Sequence, residues 1–349
     1  MVLQYSCPGC GSDMVFNAET GTLTCPSCGR AEKIEGSQRD FTPFEENFHS
    51  STFGDEPVRQ YQCQNCGAIL ITDENTTATR CSFCDSPVIL GDRLSGALAP
   101  SKVIPFSITK DQAQEAFRKW LKRSRLSPDE FRNATRVKSV VGIYVPFWLY
   151  DVRGQGEVMA QCTKVRHYSS GDYDVTETKH YDVYRKMDLA FSRIPADASK
   201  KMADDLMDRL EPFDYSNLKD FNTPYLSGFL SEKYDYTDKE MFPRIKSRVH
   251  AYMDDFVMST TLQYTTTAIH HRDYRIGQSN VEYTLCPVWM VYCDYDNAEY
   301  TFAMNGQTGK IAGAPPLSKP KAAGLFAAVT LGLFVLLRII TMLLGGPVL

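Results

Sequence analysis

The chain has 349 residues, 43% hydrophobic and 23% charged, which suits two or three domains with buried cores and excludes a disordered protein. Its formal net charge is −4, with 6 Lys/Arg against 13 Asp/Glu in residues 1–95. Residues 96–318 balance, and 319–349 carry only Lys319, Lys321 and Arg338, so no large basic block marks a chain-wide nucleic-acid footprint.

Eight of the 11 cysteines fall before residue 85. They form Cys-x2-Cys pairs, a spacing that reads as metal ligation rather than as disulfides. Cys7, Cys10, Cys25 and Cys28 recur 56 residues later as Cys63, Cys66, Cys81 and Cys84, and Tyr5 and Gly11 recur as Tyr61 and Gly67. The repeat predicts two tandem modules, each closing one tetrahedral Zn²⁺ site with four thiolates and no open position for water. Such sites are structural. Gly11, Gly29 and Gly67 follow the second cysteine of a corner, and Asp85 takes that place in the fourth. Thiolate ligands and a start without an apolar leader place this part in the cytosol. Thiolate-bound zinc makes an acidic block more acidic still, so protein contact is expected there and nucleic acid is not.

A polar stretch from Ala31 to Arg59 reads as a linker with one short strand or turn around Phe41–Phe48. After Gly96 the pattern is that of an α+β domain with an antiparallel sheet. Thr109-x-x-Gln112 is a capping box for a helix with Ala113, Ala116, Phe117, Trp120 and Leu121 on one face. Ser127-Pro128-Asp129-Glu130 starts a second, short helix. Gly142–Val158 predicts a strand pair, with further strands across Val175–Phe191 and Gln263–Tyr274. Thr237-x-x-Glu240 caps a helix facing inward with Met241, Phe242, Ile245, Val249, Tyr252, Met253 and Phe256. Val281–Ala312 reads as a meander turning at Asn297 and at Asn305–Gly309. Pro146-Phe147-Trp148 echoes Pro287-Val288-Trp289. Either a sheet unit is duplicated, or proline entering an aromatic strand is a local solution used twice.

From Ala322 to Leu344 runs a stretch of 23 residues with one charge, Arg338. As a helix it is about 35 Å long, enough for a hydrocarbon core of about 30 Å. It predicts a single-pass transmembrane helix, with Arg338 snorkelling to the far interface or facing a partner helix. Lys319 and Lys321 before the span put the amino side in the cytoplasm.

The remaining signals are weaker. Cys162, Cys286 and Cys293 fit strand cores. His270-His271 points to opposite faces of a strand, which argues against a shared site. Arg118, Lys119, Lys122, Arg123 and Arg125 end the first helix, where its dipole favours cations and explains them without a ligand; given the anchor downstream, they could also touch anionic headgroups. No phosphate loop, nucleophile elbow or His-Glu-x-x-His occurs, and an enzyme is not expected. The exception is an enzyme using a pocket around Trp148, Trp289 and His270.

The corners Cys7-Pro8-x-Cys10-Gly11 and Cys25-Pro26-x-Cys28-Gly29 resemble zinc ribbons of the transcription-factor-IIB type. With VIPFSITKDQAQEAFRKWLK, YVPFWLYD, YLSGFLSEKYD and FAMNGQTGKIAG, nearly the whole chain resembles a family of bacterial membrane-anchored proteins with tandem ribbons. Members are sometimes labelled as relatives of the replication-restart helicase, which also carries paired zinc-binding cysteines; helicase motifs are missing here. The resemblance implies company with phage-shock-protein-A-like or flotillin-like membrane proteins, in envelope stress or membrane organisation. The expected layout is ribbon 1 at 1–35, a linker at 36–58, ribbon 2 at 59–95, the α+β domain at 96–314, a juxtamembrane linker at 315–321 and a membrane helix at 322–344. The expected role is a membrane-anchored adaptor recruiting a protein partner; the alternative is a membrane-tethered nucleic-acid binder.

Overall fold

The computed structural model describes residues 2–34, 50–53, 56–94, 99–132 and 137–343; the strand or turn expected at Phe41–Phe48 lies outside them. The fold is mixed α+β. Among the described residues, five α-helices follow in order: α1 (Lys110–Arg123), α2 (Asp129–Arg132), α3 (Asp204–Leu210), α4 (Asp238–Ser259) and α5 (Lys319–Leu343). Both capping boxes form, with Thr109 and Gln112 closing the start of α1 and Thr237 and Glu240 that of α4.

Three long strands dominate the sheet. A central strand, Val137–Ser170, pairs antiparallel with Tyr173–Asp197 on one side and Thr266–Tyr295 on the other. At about 3.3 Å per residue the central strand spans roughly 110 Å. The strand pair expected in Gly142–Val158 is therefore one uninterrupted strand, and the strands expected at Gln263–Tyr274 and from Val281 onward merge into another. Glycines that look like turn signals explain the difference. Gly154 and Gly156 remain extended because they admit neighbours: an added Cβ would lie 2.8 Å from Met253 Sδ and 2.5 Å from the Tyr274 ring. The turns at Asn297 and Asn305–Gly309 do occur, around the strand Ala298–Asn305. The sheet also holds two short parallel pairings that the antiparallel reading lacked, Lys102–Val103 with Thr284–Leu285 and Leu230–Ser231 with Ile143–Tyr144.

Those pairings form part of a repeated unit. Lys102 meets Thr284, three residues before Pro287; Leu230 meets Ile143, three residues before Pro146. Lys102 and Leu230 are 128 residues apart, as are the caps Thr109 and Thr237. The same offset relates the buried positions Ala113, Phe117 and Leu121 of α1 to Met241, Ile245 and Val249 of α4. Each unit's tryptophan holds the other unit's helix start. Trp289 Nε1 donates to Ile108 O at 3.0 Å and Trp148 Nε1 to Tyr236 O at 2.8 Å. Their rings pack on Phe106 and Tyr234, both at a centroid distance of 5.0 Å. The Pro-x-Trp echo is thus a duplicated unit with reciprocal clamps. Trp148→Phe and Trp289→Phe should each cost about 1–2 kcal/mol, since each leaves one carbonyl unpaired while keeping most ring packing. Urea unfolding followed by far-UV circular dichroism checks this; a large cost for one and none for the other would break the equivalence.

Helix α4 lies on the long strands, burying Met241, Ile245, Val249, Met253 and Val257 against Tyr150, Val152, Val158 and Met187. Tyr252 and Phe256, expected inside, are 38% and 41% exposed. The helix meets the sheet along a single i, i+4 line, which Val257 continues and they do not.

Candidate metal centres

Each four-cysteine set converges. All four sulfurs of Cys7, Cys10, Cys25 and Cys28 lie within 4.8 Å of one another, as do those of Cys63, Cys66, Cys81 and Cys84. The cross-corner separations are 3.5 Å for Cys7–Cys28 and Cys10–Cys25, 3.8 Å for Cys63–Cys84 and 3.7 Å for Cys66–Cys81. A tetrahedral ion with metal–sulfur bonds of about 2.3 Å has sulfur–sulfur edges of about 3.8 Å. Both sets are dimensioned to hold one metal ion each.

The local sequence builds four alike corners. In each, the first cysteine's carbonyl accepts from the amide four residues on: Gly11, Gly29, Gly67 and Asp85, at 2.8–2.9 Å. That fourth residue is left-handed in every corner, with φ of 75°, 77°, 74° and 57°. Glycine adopts this freely. Asp85 adopts it with its carboxylate 2.9 Å from Arg80 Nη1, whose Nη2 also donates to Gly228 O. In both sets the first cysteine of each corner is buried, and the second is exposed or half-buried. Three thiols are drawn towards ionisation, Cys7 among them through the Gly9 and Cys10 amides. The Arg30 and Ala68 amides draw Cys28 and Cys66 down too, but neighbouring sulfurs outweigh them and push both up to about 12. The Ser12 amide and hydroxyl bring Cys10 down to about 6, and the Ser86 hydroxyl and amide do the same for Cys84. Cys-x-Ser is the sequence signal for this, and the spacing analysis overlooked it. A thiolate is the form that binds metal.

The two modules are completed differently. In the first, Thr22–Thr24 pairs with Val15–Asn17 on one side and Ala31–Lys33 on the other. In the second, Thr76–Arg80 pairs with Pro87–Leu90, but its other side takes Leu230–Glu232 from the α+β domain. The module's own Ile69–Thr72 turns away to pair with Glu56–Gln62, and Val2–Leu3 pairs along the far side of Pro87–Leu90. Hydrogen bonding therefore crosses the 95/96 boundary drawn from the sequence.

One segment, Leu226–Glu232, grips both modules. Phe16 N donates to Ser227 O at 3.0 Å and Ser227 Oγ to Met14 O at 2.6 Å, while Ser231 sits opposite Ala78. Gly228 has φ of 93°, and a Cβ there would lie 3.3 Å from Val15 Cβ. Lys201 Nζ bridges Asp73 at 2.5 Å and Glu232 at 2.8 Å. Burial pushes the Asp73 carboxyl up, but the Lys201 ammonium and the Thr76 hydroxyl and amide outweigh it and hold it at about 2. Nothing in the local sequence around Ser227 announces this role.

Among the other candidates, Cys162, Cys286 and Cys293 are buried, and burial raises the Cys286 and Cys293 thiols. His270 and His271 are exposed on the outer part of a long strand. His270 precedes Trp289 by 19 residues in that strand, about 60 Å when extended. Trp148, Trp289 and His270 form no common pocket. Trp289 instead lines a cavity of about 630 Å³ shared by Val15–Glu19, Arg80 and the start of α1.

Helix α5 is exposed throughout its described side chains from Gly324 onward, and the most apolar 18-residue window within Lys319–Ile340 has a mean hydropathy of 2.3. Among the described residues it is the one helix long and apolar enough to cross a membrane. Arg338 lies over the Phe334 ring at 5.6 Å.

No family model matches the chain, and no solved structure matches it. The uncharacterised protein YdjG of Bacillus subtilis (strain 168) is 49% identical over 346 residues, 99% of either chain. The chain belongs to the YdjG family. The aligned region takes in both cysteine sets, both helix–strand units and the terminal helix. Kinship with YdjG says nothing of zinc or of membrane attachment, which rest on the residues above.

Proposed function

We propose that this YdjG-family protein is a non-enzymatic adaptor, anchored in the cytoplasmic membrane by α5, that recruits a protein partner through two zinc ribbons on the cytoplasmic side. The observation that carries this reading is the pair of four-sulfur sets. Four thiolates fill a tetrahedral shell, so the Zn²⁺ they would hold supplies folding energy and offers no site for substrate or water. The eight cysteines bind; Ser12 and Ser86 tune two of them; Leu226–Glu232 fixes both ribbons to the domain that leads to the membrane. Ribbon 2 leaves Ile69, Ile71 and Phe83 exposed at 61%, 58% and 76%, an apolar supply suited to protein contact. The excess of seven acidic charges in residues 1–95 disfavours phosphate. Lys319 and Lys321 support the cytoplasmic placement, and the resemblance to ribbon proteins found beside phage-shock and flotillin-like partners supports a role in envelope stress or membrane organisation.

Retention of duplex DNA by the full-length, detergent-solubilised protein at about 50 and 200 mM salt tests the reading. No retention at either salt is expected. Sub-micromolar binding that weakens steeply with salt would replace the adaptor with a tethered nucleic-acid binder.

A further inference from the structure

We infer that the carboxyl end of α1 forms, with the base of α5, a binding surface for anionic phospholipid headgroups. The inference rests on the reading that α5 enters the membrane. Three hydrogen bonds decide where α1 then lies. Ser318 N donates to Leu126 O at 2.8 Å, and Lys321 Nζ donates to Ser127 O at 3.0 Å and to Asp129 Oδ1 at 2.6 Å. The base of the membrane helix is thereby tied to the corner between α1 and α2, and the residues just before that corner are held at the membrane surface.

Those residues are cationic. Arg118, Lys122, Arg123, Arg125 and Lys319 are exposed, and none has an ion-pair partner among the described residues. Their neighbours Lys119 and Lys321 are paired with Glu115 and Asp129. The helix dipole accounts for cations in the last turn, but Arg125 lies beyond the end of α1 and Lys319 is on another element. Lys122, Arg123 and Arg125 lie within four residues of the Leu126 contact and Lys319 follows Ser318, with Arg118 one turn further back along α1. Phosphate oxygens of anionic lipids supply the charge that the protein does not, and such attraction acts within a Debye length of the surface. Guanidinium groups suit phosphate as bidentate donors.

The test is the lipid carried by the full-length protein. The chain is reconstituted into nanodiscs of phosphatidylcholine doped with phosphatidylglycerol, extracted in mild detergent, and its retained lipids are quantified. Enrichment of phosphatidylglycerol by roughly three- to fivefold over the bulk ratio is expected, falling in high salt. The variant Lys122→Gln/Arg123→Gln/Arg125→Gln keeps Lys319 and Lys321 and should lose most of the enrichment. Wild-type protein that enters the discs yet retains lipid at the bulk ratio overturns the headgroup surface alone, as does enrichment unchanged in the triple variant. Protein that fails to enter discs of either composition overturns the anchoring reading and this inference with it. The salt arm needs only wild-type protein, so it decides even where the triple variant folds poorly.

Discussion

Cys25→Ser and Cys81→Ser should each remove one of about two Zn²⁺ per chain, with unequal structural consequences. The first cysteine module closes its own three-stranded sheet and sends Phe16 into the main core; Leu3, ahead of it, reaches that core paired with Ile89 of the second module. The second module is part of the large sheet, and Ala78, Ile89 and Leu94 from its region join that core. Fully burying a large apolar side chain contributes about 1.5–3 kcal/mol. Loss of the second metal should therefore cost the α+β domain about 3–6 kcal/mol, and loss of the first about half of that. Metal analysis with thermal unfolding of the full-length protein checks both points. If either variant loses both ions, the sulfurs serve one binuclear site and the two-centre account is wrong. Equal destabilisation would mean that the strand Leu230–Glu232 contributes little to holding the second module.

Truncation before Ala322 should move the protein from the membrane pellet to the soluble fraction, still folded and with its full metal content. None of the buried clusters draws a residue from α5, so its removal opens no cavity. Arg338→Leu should insert at least as well as the wild type, because a central arginine costs about 2.5–3.5 kcal/mol on insertion scales. Fractionation with an alkaline wash reads both results. A truncated chain that stays in the pellet would move the anchoring to the cationic end of α1.

What could be read ahead of the structure was short-range. Cysteine corners are legible because each is a turn of a few residues whose chemistry is written in its cysteine pair and, in three of the four, the Gly that follows. The starts of α1 and α4 are legible because a threonine and an acid or amide three residues on satisfy each other. Longer-range features were hidden. Gly154 and Gly156 look like a turn, and only the rings and sulfur packed against them show why glycine is there. The grip of Ser227 on the first module uses a backbone carbonyl and one hydroxyl, with no pattern to detect. The duplication was half visible in Pro-x-Trp. Its other half, the common offset of the helix caps, becomes meaningful only when each indole is seen bonded to the opposite helix start.

The adaptor claim meets its most direct test in cross-linked membranes. Tagged full-length protein, Cys25→Ser, Cys81→Ser and the Ala322 truncation are compared by quantitative mass spectrometry of what each captures. The account predicts a small set of proteins held by the wild type, lost from at least one cysteine variant, and still bound in the soluble fraction by the truncated chain. Capture that is the same in all four, or a wild type that retains nothing but nucleic acid, would contradict it.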